Sequence, residues 1–188
     1  MTDFAGMTAA DIAATVKAGS TTARAVVEAS LARTEALNPS LNAFTAITAE
    51  RALEKADAVD ADIAAGRDPG PLAGVPFAVK NLFDVKGITT LAGSKINRDL
   101  PPAGQDATLV TRMEAAGAVL TGALNMGEYA YDFTGQNAHD GASRNPHDPD
   151  RMSGGSSGGS GTAAASGMVP VTLGSDTNGS IRVPSSLC

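Results

Sequence analysis

The stretch Gly154-Gly155-Ser156-Ser157-Gly158-Gly159-Ser160-Gly161, running on through Thr162-Ala163-Ala164-Ala165, decides how this chain is read. Composition alone would make it a flexible Gly/Ser linker. The residues after it argue against that: the three alanines are small, apolar and helix-compatible, and Met168-Val169-Pro170-Val171 then re-enters core-like sequence. A phosphate-binding glycine loop fails as well. Its pattern needs a lysine and then a hydroxyl residue after the last glycine, and Gly161 is followed by Thr162. The third reading is a turn that carries a nucleophile. Two overlapping G-x-S-x-G matches centre on Ser156 and Ser157, but Pro149-Asp150-Arg151-Met152 before them is too polar for the buried strand a nucleophile elbow requires.

Working outward, Gly174-Ser175-Asp176-Thr177-Asn178-Gly179-Ser180-Ile181-Arg182-Val183-Pro184 packs small and polar residues around a second candidate nucleophile, Ser180. On the other side, Val75, Phe77 and Val79 alternate in a short strand that delivers Lys80 at its end. A helix over 106–116 leads through Gly117 into a second short strand, Ala118-Val119-Leu120. Helix followed by buried strand, repeated, predicts an α/β fold. Further upstream, a helix starts at Thr8 with Asp11 in its first turn and stops at Gly19. Another starts near Thr21 and is expected to end before Asn38-Pro39, because proline disfavours helix at the residue preceding it. A third, over 48–65, mixes charged residues with Leu53, Val59 and Ile63 and reads as a surface helix. Residues 66–70 and 137–149 read as irregular connections.

Composition narrows the chemistry. The 188 residues suit one domain with a real core, and no apolar run approaches the ~18 residues that suggest a membrane span. Fourteen basic against twenty acidic residues give a formal charge of -6, which disfavours nucleic acid as a direct ligand. Cys188 is the lone cysteine and His139 and His147 the only histidines, so neither a disulfide framework nor a Cys/His metal cluster is expected, and no cofactor. The first six residues carry Asp3 rather than a basic cluster and lead into no apolar segment, which favours the cytoplasm over secretion.

The two serine-bearing blocks, together with Val75-Pro76-Phe77-Ala78-Val79-Lys80-Asn81, resemble the amidase signature family of serine amide hydrolases. Similarity also covers Leu37-Asn38-Pro39, Leu41-Asn42-Ala43-Phe44, residues 117–128 and Arg144-Asn145-Pro146. The resemblance implies a large mixed β-sheet covered by helices on both faces. It implies Ser180 as nucleophile, Ser156 as a bridging serine preceded by a cis Gly155-Ser156 peptide, and Lys80 as base. The oxyanion would be met by backbone N–H groups of Thr177, Asn178, Gly179 and Ser180. Many relatives have glycine where Asn178 stands; asparagine tolerates positive φ better than other non-glycine residues, and its side chain would enter the site.

Such a triad works without histidine only if its lysine is neutral, which burial at the end of an apolar strand favours. Asp176 and Arg182 are expected to pair with each other or hold the loop rather than touch substrate, and Ser157, Ser160 and Ser175 carry the same ambiguity. Ser153 reads as a loop hydroxyl, Lys86 as a solvated turn lysine, and His139 and His147 as poor candidates for a Ser-His-Asp scheme.

Within the family, Thr177-Asn178-Gly179-Ser180, Asn125-Met126-Gly127-Glu128-Tyr129-Ala130-Tyr131 and Arg144-Asn145-Pro146-His147 resemble most the carboxybiuret hydrolase branch. That implies a small amide substrate, ammonia release and a small helical partner subunit, in a homodimer or heterotetramer. The alternatives are the amidase subunit of glutamyl-tRNA amidotransferase, a general small-amide amidase, and an inactive scaffold protein, against which intact Lys80, Ser156 and Ser180 argue. Family domains are much longer, so the expectation is their N-terminal part: a helical segment over 1–70 and the first part of the core over 71–188, truncated inside the signature.

Overall fold

The computed structural model describes residues 4–188. Helix α1 (Ala9–Lys17) begins where the sequence places it: Thr8 Oγ1 accepts the Asp11 N–H at 3.1 Å and donates to Asp11 Oδ2 at 2.7 Å. Helix α2 (Ala23–Leu41) is capped by Thr22 and runs one turn past its expected end, through Pro39. A proline in the last turn forfeits a single N–H bond, and this turn has a replacement closure. Asn42, left-handed at φ 51°, donates its N–H to Asn38 O at 2.8 Å. The Asn38 side chain then brackets Phe44, accepting its N–H at 2.7 Å and donating to its carbonyl at 3.1 Å. That bracket launches β1 (Phe44–Ile47), a strand that the sequence pattern alone did not predict. Helix α3 (Ala49–Ala64) comes next.

Strands β2 (Pro76–Lys80), β3 (Val119–Leu124) and β4 (Val171–Leu173) complete a mixed sheet in the order β1-β3-β2-β4. β1 runs antiparallel to β3, while β3 and β4 flank β2 in parallel. Helix α4 (Thr108–Ala115) lies in the crossover between β2 and β3. The 1–70 segment therefore supplies a strand as well as helices.

Alternation along β2 separates two apolar layers. Phe77 and Val79 pack with Val85, Val110, Ala118 and Leu120 on the α4 side. Ala78 packs on the opposite side with Phe44, Leu124, Ala163 and Met168. Val75 and Val119 close a third cluster with Ile12, Val16, Val26, Val27 and Val59 from the first three helices. All five residues of β2 are buried, because an interior strand between two layers has no solvent face. Lys80 continues the Ala78 face and so projects toward the glycine-rich segment.

That segment is not a flexible linker: residues 154–157 are irregular but buried, and a helix follows them. Gly158–Ala165 is helix α5, and its glycines are steric requirements: a Cβ on Gly159 would lie 2.5 Å from Ala43 O and 2.6 Å from Asn125 N and O. The helix thus begins directly on the backbone at the end of β3. A final helix, α6 (Arg182–Leu187), comes just after Ser180. No helix among the described residues is long and apolar enough to cross a membrane.

Candidate active site

Lys80 is fully buried, and its Nζ lies 2.6 Å from Ser156 Oγ and 3.0 Å from Ser175 Oγ. Burial pushes the ammonium down to about 8, against a smaller opposing attraction from Asp176. Ser156 is also fully buried, and the Gly155-Ser156 peptide is cis, as the resemblance implied. Its surroundings are tightly knit. Gly127 N–H donates to Ser156 O at 3.0 Å, Gly155 N–H donates to Phe133 O at 3.0 Å, and a Cβ on Gly155 would meet Asp132 Oδ2 at 2.5 Å.

Ser180 comes from the second block. Its backbone is tied to the first by Ser157 N–H donating to Ser180 O at 3.1 Å. The residue is 6% exposed and lines a cleft of about 520 Å³ shared with Tyr129, Ala130, Tyr131, Asp132, Phe133, Thr177 and Asn178. No hydrogen bond joins the Ser156 and Ser180 hydroxyls among the described residues; Ser156 turns to Lys80 and Ser180 to the cleft. Lys80 and Ser156 are in direct contact, and Ser180 is held beside them through its backbone.

The 176–182 loop is organised by one carboxylate. Asp176 Oδ1 accepts the Gly179 N–H at 2.7 Å, and Oδ2 accepts the Ile181 and Arg182 N–H groups at 3.0 and 3.1 Å. The Arg182 guanidinium adds bonds of 3.0 and 2.8 Å, and holds the Asp176 carboxyl well below the usual range. Asp176 and Arg182 therefore pair and hold the loop. Positive φ falls at Gly179 (126°), not at Asn178, so conformational tolerance does not explain the asparagine. The Gly179 N–H is engaged by Asp176, whereas those of Thr177, Asn178 and Ser180 have no partner among the described residues.

The remaining candidates fall elsewhere. Ser157 Oγ and the Ser175 backbone exchange bonds of 3.2 and 3.4 Å, and Ser160 Oγ reaches Leu173 O at 3.4 Å. Ser153 Oγ donates to the adjacent Gly154 carbonyl. His139 meets Glu128 at 3.0 Å and His147 the Cys188 carbonyl at 2.7 Å, and Lys86 is exposed. Two features escaped the sequence: the contact of Ser175 with Lys80, and the wall formed by 129–133. Ser175 arrives because Leu173 pairs with Val79, which brings the next residues of both strands together; nothing in the sequence reveals that parallel register.

A sequence profile described as Amidase matches residues 25–188. The chain is 62% identical over 173 residues to AtzE, the 1-carboxybiuret hydrolase subunit of Pseudomonas sp. (strain ADP), a match that covers 92% of the chain and 38% of that relative. It is 48% identical over 178 residues to a glutamyl-tRNA(Gln) amidotransferase subunit of Bdellovibrio bacteriovorus, covering 95% of the chain and 36% of that relative. Among solved structures, a vestigial protein complex bearing on the origins of an s-triazine catabolic enzyme superposes at TM-score 0.94 with 59% identity, over 95% of this chain and 39% of that one. The native peptide amidase of Stenotrophomonas maltophilia superposes at 0.90 with 34% identity, over 97% and 38%. The chain thus spans well under half the length of these relatives.

Proposed function

Since the chain belongs to the amidase signature family, we propose that it carries the nucleophile, bridge and base of a serine amide hydrolase that releases ammonia from a small linear amide. The observation that carries this reading is the buried Lys80 with its Nζ 2.6 Å from Ser156 Oγ. Ser180 Oγ attacks the amide carbon and passes its proton to Ser156, which gives its own to neutral Lys80. The N–H groups of Thr177, Asn178 and Ser180 meet the oxyanion, while Gly179 keeps the loop in shape. The C–N bond then breaks, the relay returns a proton to the departing nitrogen, and water hydrolyses the acyl-enzyme by the same route.

Identity to AtzE, a 1-carboxybiuret hydrolase subunit, favours 1-carboxybiuret as substrate. With it go the expectations drawn from the resemblance and the N-terminal sequence: a step in cyanuric acid breakdown, a small helical partner subunit, a homodimer or heterotetramer, and a cytoplasmic location. Residues 1–70 serve as packaging and 71–188 bear the site. The 48% identity to an amidotransferase subunit supports a second reading, glutamine hydrolysis feeding a transfer reaction. Ammonia release by the full chain from carboxybiuret, biuret, allophanate, glutamine and acetamide separates the two. Carboxybiuret is the expected best substrate, glutamine as sole substrate would replace the first reading by the second, and inertness toward all five would leave a scaffold.

A further inference from the structure

Lys80 Nζ touches two hydroxyls, and the proton relay uses one. The other, Ser175 Oγ at 3.0 Å, lies just beyond β4 and is fixed through its backbone: Ser157 Oγ donates to Ser175 O at 3.2 Å and accepts the Ser175 N–H at 3.4 Å. Ser157 is the neighbour of Ser156. Gly174 leaves no slack in this tether, since a Cβ there would meet Ser157 Oγ and Ile181 Cγ1, each at 2.9 Å. Ser175 therefore holds a set position relative to both Lys80 and Ser156.

A neutral primary amine has two N–H donors and one lone pair. It accepts a proton from Ser156 only when the lone pair points along the 2.6 Å line to Ser156 Oγ. A free amine rotates about its terminal C–N bond and samples other orientations. An N–H donated to Ser175 Oγ removes that freedom and leaves the lone pair available on the Ser156 side. We propose that Ser175 is a positioning residue for the reaction: its hydroxyl accepts an N–H from neutral Lys80 and thereby aims the lysine lone pair at Ser156.

The proposal rests on Lys80 being the base. The charged group facing Lys80 is Asp176, itself paired with Arg182; substitution at 175 leaves both in place. An acceptor at Ser175 also favours the ammonium over the amine, so removing it should lower the pH at which Lys80 loses its proton.

The test is the pH profile of kcat/KM for ammonia release by the full chain. Ser175→Ala should lower the plateau by roughly 10- to 100-fold, the part of general-base catalysis that depends on orientation. It should also move the acid limb to lower pH. Ser175→Thr, which keeps the hydroxyl, should recover most of the plateau and restore the limb. If the alanine variant does not fold, Ser175→Cys keeps the volume with a weak acceptor and should reproduce its behaviour. An unchanged plateau, a loss with an unmoved limb, or a threonine variant as impaired as alanine would overturn the proposal. A Lys80→Ala variant that still turns over would instead overturn the underlying assignment of the base.

Discussion

The segments 153–161 and 174–182 are built from the same small and polar residues, yet they are held still by different means. The first is fixed by exclusion: Gly155, Gly158 and Gly159 each sit where a Cβ would collide with backbone or with Asp132 or Ser153. In the second, Gly174 and Ser175 are tied to Ser157, but from 176 to 182 the loop is fixed by one side chain, Asp176, whose carboxylate gathers three N–H groups and a guanidinium. Packing immobilises Ser156, which is buried against the sheet, and a polar hub immobilises the loop that carries Ser180 to the edge of the cleft. The difference arises from position, since a loop at the mouth of a cleft has no second layer to pack against.

Substitutions should respond accordingly. The largest effect is expected at Gly159→Ala, where the new methyl faces three backbone atoms that cannot move independently; it should cost about 3 kcal/mol or more in denaturant unfolding of the full chain. Asp176→Ala should leave the fold intact by circular dichroism and reduce kcat by on the order of 100-fold, because the 176–182 backbone loses its common acceptor. A stability loss at Asp176 as large as that at Gly159 would erase the distinction between the two segments.

Lys80 lies between them and supplies a prediction of opposite sign. Its folded-state value of about 8 lies below the ordinary 10.5, so between those values the unfolded chain binds more protons and stability rises with pH. Below that window the buried ammonium is a standing cost, and Lys80→Met should abolish turnover while stabilising the protein at pH 7 by roughly 1 to 3 kcal/mol. The smallest effect belongs to Arg182→Ala. Its guanidinium is exposed, Asp176 keeps its three backbone bonds without it, and kcat should fall by no more than about 3-fold.

Much of this arrangement was legible in the residues. An apolar strand ending in lysine reads as a buried neutral amine, and a glycine run flowing into alanines and then core reads as something other than linker, though the helix beginning at Gly158 was not foreseen. Family resemblance added the cis peptide before Ser156. The parts that stayed hidden depend on long-range geometry or local compensation. Nothing upstream announces that Asn38 and Asn42 together close a helix across Pro39 and start β1, although the Phe-Thr-Ala-Ile run was a strand signal in plain view. The role of Ser175 depends on β2 and β4 lying side by side, and the placing of positive φ at Gly179 rather than Asn178 depends on how Asp176 folds the loop.

The most direct test of the central claim is covalent labelling of the full chain by a serine-directed fluorophosphonate, mapped by peptide mass across a pH series. The label should fall on Ser180, with a rate that rises through about pH 8 as Lys80 becomes neutral, and it should vanish in Ser180→Ala and become slow and pH-insensitive in Lys80→Ala. Labelling that persists in Ser180→Ala, or that maps to another serine in the wild-type chain, would contradict the account.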